Sequence, residues 1–328
     1  MKVQLAPELF EPPVSDNALL ITFIRYSHDG RHRIDLDTSN PLIAAWVEQQ
    51  TLALQEEIHL AIDFSAEAEA FGPSHTSVIV SRFPATDFAA TPVLVRLQDA
   101  RAFLETPMAL LLEDQVSDRA FLWKMLTDEE RCFLEKRIDE GFVRVDHGGG
   151  LGPMRTRVLA EGQNPRSHHT HWVLFDSDAL RPGIPSKQSD DLRLACGRIP
   201  HYQLKRRFVE SYLTPQALNA WAAKRGNRTT VRKRFAQLRA FQQLRPEQKH
   251  HFNMKSGFEG DSQRIDASSV GDLYDDVGIN VRSILKRGFG SNIGELFIGP
   301  DVTEAALRRE SGWQEMRPVV QDLLTRLR

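Results

Sequence analysis

Carboxylates at the ends of two apolar runs carry most of the chemistry that this chain's residue types allow. Glu113 and Asp114 close the run Met108–Leu112, and Asp176 and Asp178 close the run Trp172–Phe175. Short apolar runs of this kind suit strands buried on both faces, as in a parallel sheet. Side chains two apart on an extended segment share a face, which would set Asp176 beside Asp178. Paired carboxylates repel unless a positive charge lies between them, and a hard divalent cation such as Mg²⁺ or Mn²⁺ supplies it through oxygen ligands. If the two strands are parallel neighbours, Glu113, Asp176 and Asp178 meet at one edge. Open α/β sheets bind ligands at that edge, the carboxyl ends of the strands.

The elements around these acids follow from pattern. After Glu113 a helix is expected, with Phe121, Leu122, Met125 and Leu126 on one side and Ser117 or Asp118 as its cap. Thr127 to Asp139 reads as a charged helix. Phe142 to Val145 reads as a short strand that runs into Gly148, Gly149 and Gly150. That triplet lets backbone N–H groups approach a phosphate or carboxylate. A polar stretch then leads to the strand ending in Asp176. A Pro/Gly/Ser loop covers Arg181 to Asp190, a helix begins at Asp191, and Ile199 to Leu204 is strand-like. Alternation of strand and helix over residues 107–215 implies a parallel sheet flanked by helices.

Residues 1–106 read as a separate α+β region. Asn17 to Tyr26 is expected to be a strand, paired in a hairpin with Arg31 to Leu36 across Asp29-Gly30. Pro41 to Ile62 reads as one helix, and Ser77 to Phe83 and Thr91 to Leu97 as strands. Residues 216–328 read as helical. The chain of 328 residues is 41% hydrophobic with a formal net charge of -2, so it has no global attraction to nucleic acid. Any basic surface must be local. Arg225, Arg228, Arg232 and Arg239 belong to such a stretch, in which no acid occurs from Lys224 to Arg245. A one-sign run of this kind suits phosphates. The two cysteines, Cys132 and Cys196, fit no metal-ligand spacing. Zinc at His168, His169 and His171 is disfavoured because adjacent residues on an extended chain point apart. No signal core and no membrane-length run is visible, so a cytoplasmic protein is expected.

Together these residues resemble the Toprim family, the metal-binding domain of topoisomerases, primases and a group of nucleases. That family has a glutamate after its first strand, a glycine-rich turn after the second and Asp-x-Asp after the third. Here these positions hold Glu113, Gly148-Gly149-Gly150 and Asp176-Ser177-Asp178. The chain looks most like nucleases of the overcoming-lysogenization-defect type and related stand-alone effectors of bacterial phage defence. In that comparison Asp118 becomes a further metal ligand. LKRRFVESYL matches an arginine-rich run ending in Glu-Asn-Tyr, with Glu210 and Tyr212 kept and Ser211 in place of the asparagine. Lys255 in FNMKSGF matches a basic residue near the phosphate. The pattern departs at Asp114, where a glycine is usual, and at Leu180, where topoisomerases carry a third acid. No Walker A sequence occurs.

The resemblance implies a nuclease cutting DNA or RNA with two metals, held by Glu113, Asp118, Asp176, Asp178 and Glu210. In it Lys255 or Arg206 would neutralise the phosphate. The one-sign charge run separately leads to the expectation that Arg225, Arg228, Arg232 and Arg239 hold the substrate backbone. The resemblance further implies a separate ATPase or sensor as partner and leaves self-association into a homo-oligomer open. The competing expectation, motivated by Asp114 and Ser211, is a regulatory or nucleic-acid-binding subunit that has lost catalysis.

Overall fold

A computed structural model describes residues 1–70, 72, 74–263 and 270–328. The chain builds two four-stranded sheets, each wholly parallel. The first orders its strands β2-β1-β3-β4, with β1 Lys2–Leu5, β2 Arg33–Asp35, β3 Ser77–Ser81 and β4 Val93–Arg96. Val3, Leu5, Val78, Val80, Val93 and Val95 turn one face onto helices Asn17–His28, Pro41–Glu48, Leu52–Ala70 and Leu97–Leu104.

Three expectations for this region are corrected. Asn17–His28 is a helix, because Leu20, Phe23 and Ile24 recur at helical spacing on its buried side. Short apolar runs do not distinguish helix from buried strand by periodicity alone. No hairpin forms; β2 instead pairs in parallel with β1, so the region is α/β and not α+β. The single helix expected over Pro41 to Ile62 breaks into two at residues 49–51. Asn40 caps the first of them, its Oδ1 accepting from the Leu42 N–H at 3.0 Å.

The second sheet orders its strands β6-β5-β7-β8, with β5 Met108–Leu112, β6 Val143–His147, β7 His171–Phe175 and β8 His201–Gln203. β5 and β7 are parallel neighbours, Leu112 opposite Leu174. Leu110 and Leu112 join Trp172 and Leu174 in the core on one face, while Leu111 joins Val173 and Phe175 on the other. Burial on both faces accounts for the unbroken apolar runs. Helices Leu151–Gly162 and Ser167–Thr170 occupy the stretch expected to be polar loop. The helix expected from Asp191 begins at Lys187, where Ser186 accepts from the Ser189 N–H at 3.2 Å.

The helices of residues 215–327 share the core of the second sheet and do not form one of their own. The last, Ser311–Leu327, is fastened at several points. Trp172 Nε1 donates to Asp322 Oδ2 at 2.9 Å, and Arg317 pairs with Glu130, which also closes the capping box of the helix Asp128–Asp139. Among the described residues no helix is long and apolar enough to cross a membrane.

Candidate metal centre

The parallel pairing of β5 and β7 brings their carboxyl ends together, and with them Glu113 and Asp176. Glu113 Oε2 accepts from the Asp176 backbone N–H at 3.2 Å. Asp176 Oδ1 in turn accepts from the Val209 N–H at 3.1 Å, which draws the 3-10 turn Val209–Tyr212, and Glu210 with it, against the sheet edge. From the opposite side the helix Ser117–Lys124 contributes Asp118, buried, its Oδ2 accepting from the Asp114 N–H at 2.8 Å.

Asp114, and not Ser117 or Asp118, takes the capping role at this helix start. Asp114 Oδ2 accepts from the N–H groups of Val116 and Ser117 at 2.9 and 2.6 Å and from Ser117 Oγ at 2.8 Å. It therefore caps the helix start. Burial works against its charge, but these hydrogen bonds prevail and hold it below the usual aspartate value. The second acid of the helix is thereby released to face Glu113 and Glu210.

Crowding shows in the acidities. Burial first, then the charges of Asp118 and Asp178, push the Glu113 carboxyl up to about 8. Burial, with the charges of Asp114 and Glu210 adding to it, pushes Asp118 up to about 7. Asp176 is held well above the carboxylate range by burial and by Glu113, Asp118 and Glu210. Set among these acids is one cation, Lys255, whose Nζ lies 3.0 Å from Glu210 Oε1. Burial opposes its charge, yet Glu210, Asp176 and Asp118 raise it above the usual lysine value.

Glu210 is 1% exposed, and neither of its oxygens has a hydrogen-bond partner of good geometry. Its charge is met by the Lys255 ammonium at 3.0 Å, and a buried carboxylate with unfilled acceptor positions beyond that ion pair has room for a further cation or water. Gly294 makes room for it: a Cβ there would stand 2.6 Å from Glu210 Oε1. No sequence signal marks Gly294, since its partner lies far away in the chain. The donor set, all carboxylate oxygen, suits a hard divalent ion. Among the described residues, however, no three His, Cys, Asp or Glu side chains are set to hold a metal, and Lys255 supplies the counter-charge.

Two sequence expectations change here. The chain leaves the strand at Phe175, and Asp178 takes a left-handed backbone with φ 53, so Asp176 and Asp178 are not a same-face pair. Asp178 is fixed instead through its N–H, which donates to the Arg207 carbonyl at 3.0 Å, and its charge acts on Glu113. The N–H groups of Gly148, Gly149 and Gly150 donate to the Leu112 and Glu113 carbonyls. The turn thus ties β6 to the end of β5 and does not cradle an anion with those groups.

Arg206 is corrected as a nucleic-acid ligand. It is buried over the Tyr212 ring, and it donates to the Ser211 carbonyl and Ser311 Oγ and pairs with Glu315. Arg207, with no exposed side-chain surface, makes a two-point pair with Asp261 at 2.9 and 2.6 Å. The backbone carbonyls of Arg206 and Arg207 accept from Ser177 Oγ and from the Asp178 N–H, so both arginines act as struts for the loop carrying Asp176 and Asp178. Arg225, Arg228, Arg232 and Arg239 by contrast are exposed along the turn before helix Arg228–Gln242 and along that helix, with no ion pair to a described acid.

No family model, no curated protein and no solved structure matches this chain.

Proposed function

We propose that the chain is a Toprim-like, divalent-metal-dependent nuclease that hydrolyses phosphodiester bonds of DNA or RNA. The observation that carries this reading is the convergence of Glu113, Asp118, Asp176 and Glu210 at the carboxyl edge of the second sheet, with Lys255 paired to the buried Glu210. The raised acidities of Glu113, Asp118 and Asp176, crowded together, are of the kind that gathers at functional sites. Glu113, Asp118, Asp176 and Glu210 would hold the metal, with Asp178 beside them. A divalent ion held by these carboxylates would supply a water of lowered pKa and a counter-charge for the leaving oxygen. Lys255, part-exposed and paired with Glu210, would meet the phosphate, and the exposed arginines of residues 225–239 would grip the flanking backbone. A partner ATPase or sensor, and a role in phage defence, belong to the same proposal and rest on the resemblance alone.

The test is Mg²⁺- or Mn²⁺-dependent nicking of supercoiled plasmid and cleavage of total RNA. Losing a partner one shell out from a metal costs about 10–100-fold, and a direct ligand costs more. Asp176→Ala is therefore expected to cut at least a hundredfold more slowly than wild type. Equal cutting by the two proteins would remove the assignment. One observation favours a second reading: Lys255 already pairs with Glu210, which suits a regulatory subunit whose acids hold a lysine in place of a metal.

A further inference from the structure

We infer that this protein binds single-stranded nucleic acid, with an unpaired base held in a pocket beside the acidic cluster. The inference rests on the nuclease reading and names the form of substrate it would take.

The pocket has a volume of about 840 Å³ and lies between the end of helix Pro215–Ala223 and the segment 289–301. Small-molecule sites span roughly 300–1,000 Å³, so a nucleotide fits within it. One wall is aromatic. Trp221 and Phe289 both line it, packed edge to face with centroids 5.1 Å apart. The rim is basic: Lys224 and Arg225 are exposed, and Arg234 lies 5.7 Å from the centre of the Trp221 ring. Arg234 Nη1 also donates to the Lys224 carbonyl at 2.8 Å, which fixes the turn bearing both cations. Two acids, Glu295 and Asp301, stand on the far side.

Position ties this pocket to the centre. The 3-10 segment Ser291–Phe297 separates the two. Its Gly294 abuts Glu210, while Ser291, Asn292 and Glu295 line the pocket. The Gly290 N–H donates to the Lys255 carbonyl at 3.2 Å, so the same segment is bonded to the backbone of the lysine in the cluster. An aromatic wall with cations at its rim is the arrangement on which bases stack while phosphates are neutralised. It requires a base out of its duplex, because a paired base presents only its edges.

The experiment measures binding by fluorescence anisotropy in EDTA, where no metal-dependent cleavage occurs. The probes are a labelled DNA oligonucleotide, its RNA counterpart and the blunt DNA duplex of the same sequence. Wild type is expected to bind at least one of the single strands about tenfold more tightly than the duplex, the scale of one stacked base. Trp221→Leu, and separately Asn292→Trp, which fills the pocket from an exposed position, are each expected to remove that preference. Lys224→Glu/Arg225→Glu is expected to weaken binding and flatten its dependence on salt by roughly 1.4 units of slope, two contacts at about 0.7 each on a single strand. Duplex bound as tightly as both single strands, or a preference unchanged in folded Trp221→Leu and in Asn292→Trp, overturns the inference. A protein that cleaves yet shows no such preference sinks the pocket and leaves the nuclease reading standing. A preference that depends on Trp221, in a wild type that binds no Mn²⁺, keeps the pocket and removes the nuclease reading.

Discussion

Lys255→Met is expected to melt well below wild type in a chelator and to recover in Mn²⁺. The variant leaves buried carboxylates, above all the fully buried Glu210, without their cation. Breaking a buried pair from one side costs about 3–5 kcal/mol, and the lower end applies because the Lys255 side chain keeps 41% of its surface. A loss of that size lowers the melting temperature by roughly 5 °C in a chain this long. The deficit has a direction in pH. Glu113 and Asp118 titrate at about 8 and about 7 when folded, against ordinary values of 4.5 and 3.8. Between those limits the folded state holds more protons than the unfolded, so stability falls as pH rises through the window. The variant should therefore lose more at pH near 8 than near 6, and Mn²⁺ should restore more at the higher value. If the acids exist only to pair with lysine, Mn²⁺ restores nothing.

A larger loss of stability is expected from the strut beneath the site. Arg207 has no exposed side-chain surface, and it joins Asp261, which also accepts from Asn253 Nδ2 at 3.2 Å. Arg207→Met leaves the Asp261 carboxylate buried and uncompensated, at a cost toward 5 kcal/mol. Asp261→Asn orphans the guanidinium to a smaller extent, since an amide oxygen still accepts. The double variant should recover part of the loss, because removing both charges spares the unpaired one. Denaturant unfolding of the four proteins measures this. A single-variant loss under about 1 kcal/mol would show the pair to be incidental.

How far the site could be read in advance follows from what fixed each residue. Glu113 and Asp176 were legible because apolar runs too short for a core helix ended in acids, and alternation of strand and helix made their strands parallel. Asp114 and Asp118 were not separable, since both can cap and only the turn geometry chooses between them. The expected pairing of Asp178 with Asp176 failed where the strand ended, at Phe175, which no periodicity marks. Arg206 and Arg207 carry the same charge pattern as a phosphate-binding run, and only their distant partners Glu315 and Asp261 show that they are internal. The helix Leu151–Gly162 was hidden by Gly152 and Pro153 in its first turn, where a proline is tolerated. Glu210 was found by resemblance; its burial against Gly294 and its pairing with Lys255 join residues far apart in the chain.

Titration of the intact protein with Mn²⁺, followed by the loss of the free-ion electron paramagnetic resonance signal, tests the central claim most directly. Saturable binding by wild type, lost in folded Glu113→Gln/Asp176→Asn, is the result predicted. A folded wild type that leaves all added Mn²⁺ free, with and without single-stranded nucleic acid present, would contradict it.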